Sequence, residues 1–207
     1  MKSLPNILTS LRLVLTLFVF LALATAAGAF PYLSERLTPE AQFSLQRWAF
    51  WAFVIAAVTD FFDGWLARKL DAVSVWGAIL DPIGDKVLVC GAILGLLALG
   101  GQPAIVLPAG LMLFREFTVS ALREVGAGKG VKLPVTRLAK WKTTLQLTAL
   151  TAELLVSSWG AFNLPPDPAI EQPAILLAHG LMWLAAIVTV ITGAQYWEQT
   201  RKALRGL

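Results

Sequence analysis

The sequence predicts an all-α, polytopic membrane protein with six transmembrane helices. Hydrophobic residues make up 57% of the chain and charged residues only 14%, and the mean hydropathy is +0.70. Soluble domains carry about 25% charged residues, so this composition indicates a membrane protein. Six apolar stretches approach the length of about 20 residues that a helix needs to cross a bilayer. No alternating strand pattern competes with them.

The first three predicted spans cover residues 7–29, 48–62 and 76–99, and the second continues as a polar helix to residue 68. Lys2 followed by an apolar run also resembles a signal peptide. The run is longer than a signal core and begins with polar residues, so we expect it to be retained as the first helix.

The last three predicted spans cover residues 104–122, 143–159 and 174–197. Glycine, proline and asparagine interrupt the apolar pattern at 28–31, 100–103 and 163–168, where turns are needed. We therefore expect a single membrane-embedded domain over residues 1–207, built as a helical bundle.

Positive charges predict the orientation, because Lys and Arg near span ends stay on the cytoplasmic side. With six spans, most cations fall on one side and only Arg36 and Arg47 on the other. Both termini are therefore expected in the cytoplasm. The cations on the cytoplasmic side are Lys2, Arg12, Arg68, Lys69, Arg123, Lys129, Lys132, Arg137, Lys140, Lys142, Arg201, Lys202 and Arg205.

Two pairs of carboxylates lie inside or at the rim of apolar spans. Asp60 and Asp63 are three residues apart, and Asp81 and Asp85 are four apart, so each pair shares one helical face. A carboxylate within a membrane costs about 3 kcal/mol on insertion scales, which makes these residues functional candidates.

Four carboxylates from two helices are typical of a hard divalent cation, Mg²⁺ or Mn²⁺, and two ions would neutralise the site best. Arg68 adds a forked phosphate donor, and Ser74 could add a hydroxyl. A solvated loop with helix caps is the alternative, and it is favoured for Lys69 and Asp71 alone.

The aspartates also belong to a longer pattern. Residues 60–68 read DFFDGWLAR, eight residues intervene, and residues 77–85 read GAILDPIGD. All eight defining positions of D-x-x-D-G-x-x-A-R-x8-G-x-x-x-D-x-x-x-D are matched, and the chain thereby resembles the CDP-alcohol phosphotransferases. The resemblance implies a fold of six transmembrane helices, usually in a homodimer.

The resemblance also implies roles. Asp60, Asp63 and Asp81 would bind metal, and Asp85 would be the catalytic base and could also touch a metal. The residues that would bind the CDP-diacylglycerol donor are Gly64, Ala67, Arg68, Ser74 and Gly77. The implied reaction joins an alcohol to the phosphatidyl group, with CMP leaving.

Four further segments resemble the bacterial phosphatidylglycerophosphate synthases within that family. They are residues 5–12 (PNILTSLR), 114–123 (FREFTVSALR), 140–146 (KWKTTLQ) and 192–196 (TGAQY). The implied acceptor is glycerol 3-phosphate, and the implied location is the bacterial inner membrane with the active site cytoplasmic. Ala139 departs from the glycine that is usual there.

A phosphorylated acceptor also fits the charges, since a phosphate near −2 needs cations. The candidates for binding it are Arg115, Arg123, Arg137, Lys140 and Lys142. Attraction to anionic lipid headgroups is the alternative for the basic loop. Pairing with Glu116 could make Arg115 purely structural.

Rival functions share parts of this pattern. Phosphatidylglycerol, an inositol phosphate or serine could be the acceptor in the same chemistry. A cation transporter would also place carboxylates in spans, but it would carry internal repeats, and the sequence has no convincing repeat. No nucleic-acid partner is expected.

Overall fold

The computed structural model describes residues 4–70, 75–100, 103–130 and 137–205. Within these ranges the side chains of residues 4–8, 61–70, 75–79, 81–82, 85, 137–140 and 204–205 are outside the description. All regular structure in the described part is helical, as predicted. The single-domain assignment stays a prediction.

Six long helices form the framework of the described residues. They are α1 (Leu4–Ala26), α3 (Pro39–Leu70), α4 (Val75–Ala98), α5 (Pro103–Gly128), α6 (Arg137–Ser157) and α7 (Pro168–Arg205). A short helix, α2 (Pro31–Ser34), follows α1, and a 3₁₀ turn, Gly160–Phe162, follows α6. Each long helix contains most of one predicted span.

Three stretches in the described residues are long and apolar enough to cross a membrane, namely Thr9–Ala26, Pro103–Gly128 and Pro168–Ala203. A shorter apolar stretch is Lys86–Ala98. The protein is therefore membrane-integral, and the count of six spans stays a prediction.

The turns occur where glycine and asparagine predict them. Gly28 has φ +80°, and its N–H donates to Thr25 O at 3.1 Å while that of Ala29 donates to Ala24 O at 2.9 Å. This pair of bonds closes the C-terminus of α1 in a Schellman motif, which needs a residue with positive φ. Asn163 takes the same conformation, with φ 51°, after the 3₁₀ turn.

The described chain clusters into two compact units. Unit 1 contains Met1–Gly101 and Leu150–Ala174, and unit 2 contains Gln102–Ala149 and Ile175–Leu207.

In unit 1, α1 packs against α3 and α4. The two helices α1 and α4 come close together at Gly95, where an added Cβ would lie 2.9 Å from Leu23 Cβ. At another point in the unit, Arg47 Nη1 donates to Ala161 O at 2.6 Å, and Phe50 meets Phe162 edge to face with centroids 5.1 Å apart. These contacts fasten the 3₁₀ turn to α3.

In unit 2, α5 contacts α7 through polar side chains. Arg115 Nη2 donates to Thr192 Oγ1 at 3.1 Å, and Thr192 donates to Thr189 O at 2.9 Å. The same two helices also bury apolar side chains, which include Ile105, Met112, Val119, Met182, Ala185 and Ala186.

Several helices bury polar residues and expose apolar ones. In α1, Thr9, Arg12 and Thr16 are buried, whereas Val14 and Leu17 are exposed. In α5, Arg115 is buried and Phe114 is 74% exposed. Since lipid rather than water surrounds such a surface, polar groups turn inward to find partners.

Candidate active site

Asp60 is the member of the carboxylate signature whose side chain the structure describes. It lies in α3, and its Oδ1 is 2.5 Å from Nη1 of Arg12 in α1. The side chain of Asp60 is 21% exposed, and that of Arg12 is 2% exposed. Asp60 is thus accessible to a ligand although its partner is enclosed.

The second half of the signature also lies near Arg12. Gly84 lies in α4 between Asp81 and Asp85, and a Cβ placed on it would be 3.7 Å from both Cδ and Nη1 of Arg12. Arg12 therefore lies close to the part of α4 that carries these aspartates, and it also contacts Asp60. The two halves of the signature meet at this arginine.

The remaining signature residues have described helical backbones but side chains outside the described part. Asp63, Gly64, Ala67 and Arg68 lie in the last part of α3, and Gly77, Asp81 and Asp85 lie in the first half of α4. Ser74 lies between these helices, outside the described residues. Their assigned roles stay predictions.

The described portion of the carboxylate site fits a cation by its chemistry. Among the residues whose side chains are described, no three His, Cys, Asp or Glu residues group together. Asp60 supplies hard oxygen donors of the kind that Mg²⁺ and Mn²⁺ prefer, and it already attracts the guanidinium of Arg12. A positive charge is therefore favoured beside this carboxylate.

A second polar group, in unit 2, is centred on Glu116. Its Oε1 accepts a hydrogen bond from Lys142 Nζ, and it lies 3.5 Å from Arg115 Nη1. Arg115 and Lys142 are both buried, with 8% and 5% of their surfaces exposed. One carboxylate thus faces two buried cations, and the group keeps an excess positive charge.

Arg123 extends this group by one more cation. Its Nη2 donates to Tyr196 Oη at 2.6 Å, and its guanidinium carbon lies 4.8 Å from the ring centre of Tyr196. The same ring lies 5.8 Å from the guanidinium carbon of Arg115. We call Arg115, Glu116, Arg123, Lys142 and Tyr196 the cation cluster.

Three of the five predicted acceptor-binding cations therefore come together in the cation cluster. Arg137 and Lys140 lie in the first turn of α6, and their side chains are outside the described part. The predicted pairing of Arg115 with Glu116 is present. This pairing does not neutralise the cation cluster, because Lys142 pairs with the same carboxylate oxygen of Glu116.

The functional assignments made from the sequence left out Arg12, Glu116, Thr192 and Tyr196. Each lies in a segment that resembles the phosphatidylglycerophosphate synthases. Arg12 offered one further signal, since a cation within an apolar helix requires a partner of opposite charge. Thr192 and Tyr196 offered none beyond the resemblance, because their contacts join helices far apart in the chain.

Comparison with known proteins identifies the family. The model of the CDP-alcohol phosphatidyltransferase family matches residues 2–191. A CDP-diacylglycerol–glycerol-3-phosphate 3-phosphatidyltransferase of Cereibacter sphaeroides is 37% identical, covering 98% of this chain and 96% of that protein.

Two relatives with the same name are similarly close. The Rickettsia felis protein is 37% identical over 97% of each chain, and the Rickettsia bellii protein is 37% identical over 97% of each chain. The chain, whose signature at residues 60–85 resembles this family, belongs to the CDP-alcohol phosphatidyltransferases.

Proposed function

We propose that the protein transfers the phosphatidyl group of CDP-diacylglycerol to sn-glycerol 3-phosphate, giving phosphatidylglycerophosphate and CMP. The observation that carries the choice of acceptor is the cation cluster. It sets Arg115, Arg123 and Lys142 against the one carboxylate of Glu116, within the described residues. The names of the full-length relatives support the same acceptor.

The excess charge of the cluster suits a phosphate monoester. Such a group carries a charge near −2 and accepts several charge-assisted hydrogen bonds. Arg115 and Lys142 are buried, so water screens their attraction to an anion less than at an exposed surface. We infer that Arg137 and Lys140 add to this site from the first turn of α6. Serine, which has no phosphate, gains little from these cations.

The carboxylate site would hold the donor and the metal ions. Asp60, Asp63, Asp81 and Asp85 supply oxygen ligands that suit two Mg²⁺ or Mn²⁺ ions. Bound divalent ions would polarise the diphosphate and stabilise the charge on the departing CMP. Gly64, Ala67, Arg68, Ser74 and Gly77 would hold the cytidine diphosphate portion of the donor.

The reaction needs one base. The acceptor hydroxyl oxygen forms a bond to the phosphorus that bears the diacylglycerol, and the bond from that phosphorus to the oxygen of CMP breaks. Asp85 takes the proton of the hydroxyl, and CMP leaves with the electron pair of the broken bond. The reaction changes no oxidation state and therefore needs no oxidant or reductant.

Location and assembly follow from the same function. A water-soluble acceptor reaches the site from the cytoplasm, which agrees with the positive charges expected on that side. We propose that the protein lies in the bacterial inner membrane with both termini cytoplasmic, and that it forms a homodimer.

The test is CMP release by the protein in detergent with CDP-diacylglycerol and Mg²⁺ or Mn²⁺. Glycerol 3-phosphate, glycerol, inositol phosphate, serine and phosphatidylglycerol are offered separately. Turnover is expected with glycerol 3-phosphate only, and it should disappear with a chelator or in Asp85→Asn. Faster turnover with another acceptor would overturn the proposed substrate.

A matched pair of variants tests the acceptor site. Arg115→Gln is expected to raise KM for glycerol 3-phosphate by about tenfold or more, since a buried phosphate contact is worth at least ~1.4 kcal/mol. Arg36→Gln also removes one cation, but Arg36 is exposed and stacks on Tyr32 at 4.4 Å in unit 1. It should leave KM unchanged. Equal KM values in the two variants would remove Arg115 from the proposed site.

A further inference from the structure

Arg12 occupies an unusual position for a cation in an apolar helix. It is 2% exposed, and Nη1 lies 2.5 Å from Asp60 Oδ1. An arginine near the end of a span can extend its side chain to the membrane surface. Arg12 is instead enclosed by protein, so membrane anchoring does not account for it.

The arginine also lies against the other half of the signature. The place of a Cβ on Gly84 is 3.7 Å from Arg12 Cδ and Nη1 and 3.8 Å from Leu13 Cδ2. These distances are those of ordinary van der Waals contact, so Arg12 packs beside position 84 of α4. Arg12 therefore lies close both to Asp60 in α3 and to the segment of α4 that carries Asp81 and Asp85.

The ion pair between Arg12 and Asp60 affects how strongly Asp60 can bind a metal ion. A divalent ion held by Asp60 would use the same carboxylate whose Oδ1 lies 2.5 Å from Nη1 of Arg12. The ion and the arginine carry charges of the same sign, and both are attracted to the same carboxylate. At such short range in a partly buried site, their repulsion is weakly screened.

We propose that Arg12 is a positioning residue that holds Asp60 when no divalent ion is bound and competes with the ion for that carboxylate. It neutralises Asp60 and keeps the carboxylate aligned. Arg12 thereby lowers the affinity of the site for the metal. The inference rests on the proposed role of Asp60 as a metal ligand.

Metal affinity, measured without substrates, tests the inference. Binding of Mn²⁺ to the protein in detergent is followed by the electron paramagnetic resonance signal of the free ion. Arg12→Gln is expected to bind Mn²⁺ about threefold to tenfold more tightly than the unmodified protein, because a competing positive charge is gone. Arg36→Gln, which removes an exposed cation elsewhere in unit 1, should leave the Kd unchanged.

A purely structural role for Arg12 gives the opposite result. Loss of a helix-pairing contact would leave the Kd for Mn²⁺ unchanged or raise it, and either outcome in a monodisperse Arg12→Gln protein would overturn the inference. If Arg12→Gln is not monodisperse, Arg12→Met is measured instead. Methionine removes the charge and keeps a flexible, unbranched side chain, so about threefold to tenfold tighter binding is expected, and equal or weaker binding overturns the inference.

Asp60→Asn separates this inference from the proposed function. If Asp60→Asn loses Mn²⁺ binding while Arg12→Gln does not gain it, the competition is wrong and the metal site stands. If Asp60→Asn binds Mn²⁺ as the unmodified protein does, the metal assignment of Asp60 is wrong, and the inference fails with it. CMP release with glycerol 3-phosphate reports on the reaction independently of both results.

Discussion

Gly193 in α7 lies so close to Arg115 in α5 that a Cβ on the glycine would stand 2.8 Å from Arg115 Cγ. The outer end of Arg115 is held by Glu116 and Thr192. The middle of this side chain therefore cannot move aside without disturbing those contacts. Gly193 fixes the path of the arginine toward the cation cluster.

Replacing Gly193 by alanine should consequently misplace Arg115. We expect Gly193→Ala to raise KM for glycerol 3-phosphate by about tenfold, since loss of one well-placed charged contact costs on the order of 1–2 kcal/mol. Steady-state CMP release measures the effect. Gly180→Ala is the control, because Gly180 lies in the same helix and nothing lies within 4 Å of its added Cβ. Identical kinetics in the two variants would contradict the positioning role.

The sequence is informative where function depends on neighbours along one helix. The spacing of Asp60, Asp63, Asp81 and Asp85, together with the small residues between them, is enough to indicate the family. The pairing of Arg115 with Glu116 is also predictable, because the two residues are adjacent. In each case the chemistry follows from residue type and local spacing.

Contacts between helices could not be predicted in the same way. Lys142 shares Glu116 with Arg115, and Thr192 accepts from Arg115 across 77 positions of the chain. Such contacts depend on how helices pack, which hydropathy does not encode. Hydropathy also did not reveal the first residues of α3, which begins at Pro39, nine residues before the second predicted span. The early residues of α3 include Glu40, Gln42 and Ser44, and their polarity hides the helix.

The pair of Glu116 and Lys142 should be strongly coupled in stability. Removing Glu116 leaves the buried Lys142 without its carboxylate, and removing Lys142 leaves Glu116 with Arg115 alone. The double variant no longer buries an unpaired lysine, which relieves part of the cost. In a cycle of Glu116→Gln, Lys142→Met and the double variant, we expect a coupling energy of about 1–3 kcal/mol. Unfolding by SDS in mixed micelles measures it.

An exposed pair supplies the comparison for that cycle. Lys202 Nζ lies 2.7 Å from Glu198 Oε1, with side chains 75% and 66% exposed. Water and salt screen such pairs, so the matching cycle of Glu198→Gln and Lys202→Met should give a coupling near zero. Similar coupling in the two cycles would mean that burial does not strengthen the Glu116 pair.

Tyr196 has a hydroxyl and a ring that should contribute separately. Its Oη accepts a 2.6 Å bond from Arg123, and its ring lies near the guanidinium groups of Arg123 and Arg115. Tyr196→Phe keeps the ring and should cost about 1 kcal/mol of unfolding free energy, since Arg123 is exposed and can bind water instead. Tyr196→Leu also loses the cation–π contact and packing volume, and it should cost roughly 1–2 kcal/mol more.

Tyr32→Phe is the control for the hydroxyl of Tyr196. The ring of Tyr32 also lies beside an arginine, Arg36, but Tyr32 is 72% exposed. The Tyr32→Phe protein should keep the unfolding free energy and the KM for glycerol 3-phosphate of the unmodified protein. For Tyr196→Phe, KM for glycerol 3-phosphate should rise more than kcat falls, because Arg123 loses the group that orients it. A fall in kcat alone would place Tyr196 outside acceptor binding.

The packing of α1 on α4 at Gly95 should govern the stability of unit 1, which carries Arg12 and Asp60. An alanine at 95 would place Cβ 2.5 Å from Leu23 Cδ1 and 2.9 Å from its Cβ. Because Leu23 is fully buried, it has little room to move, and we expect Gly95→Ala to lower the free energy of unfolding by about 1–3 kcal/mol.

At Gly91, one turn earlier in α4, the nearest atoms to an added Cβ are 3.6 Å away, which is an ordinary contact. Gly91→Ala should therefore be neutral or stabilising, since alanine favours the helix by about 1 kcal/mol. Thermal unfolding in detergent compares the two variants, and equal midpoints would show that α1 can shift on α4 without cost.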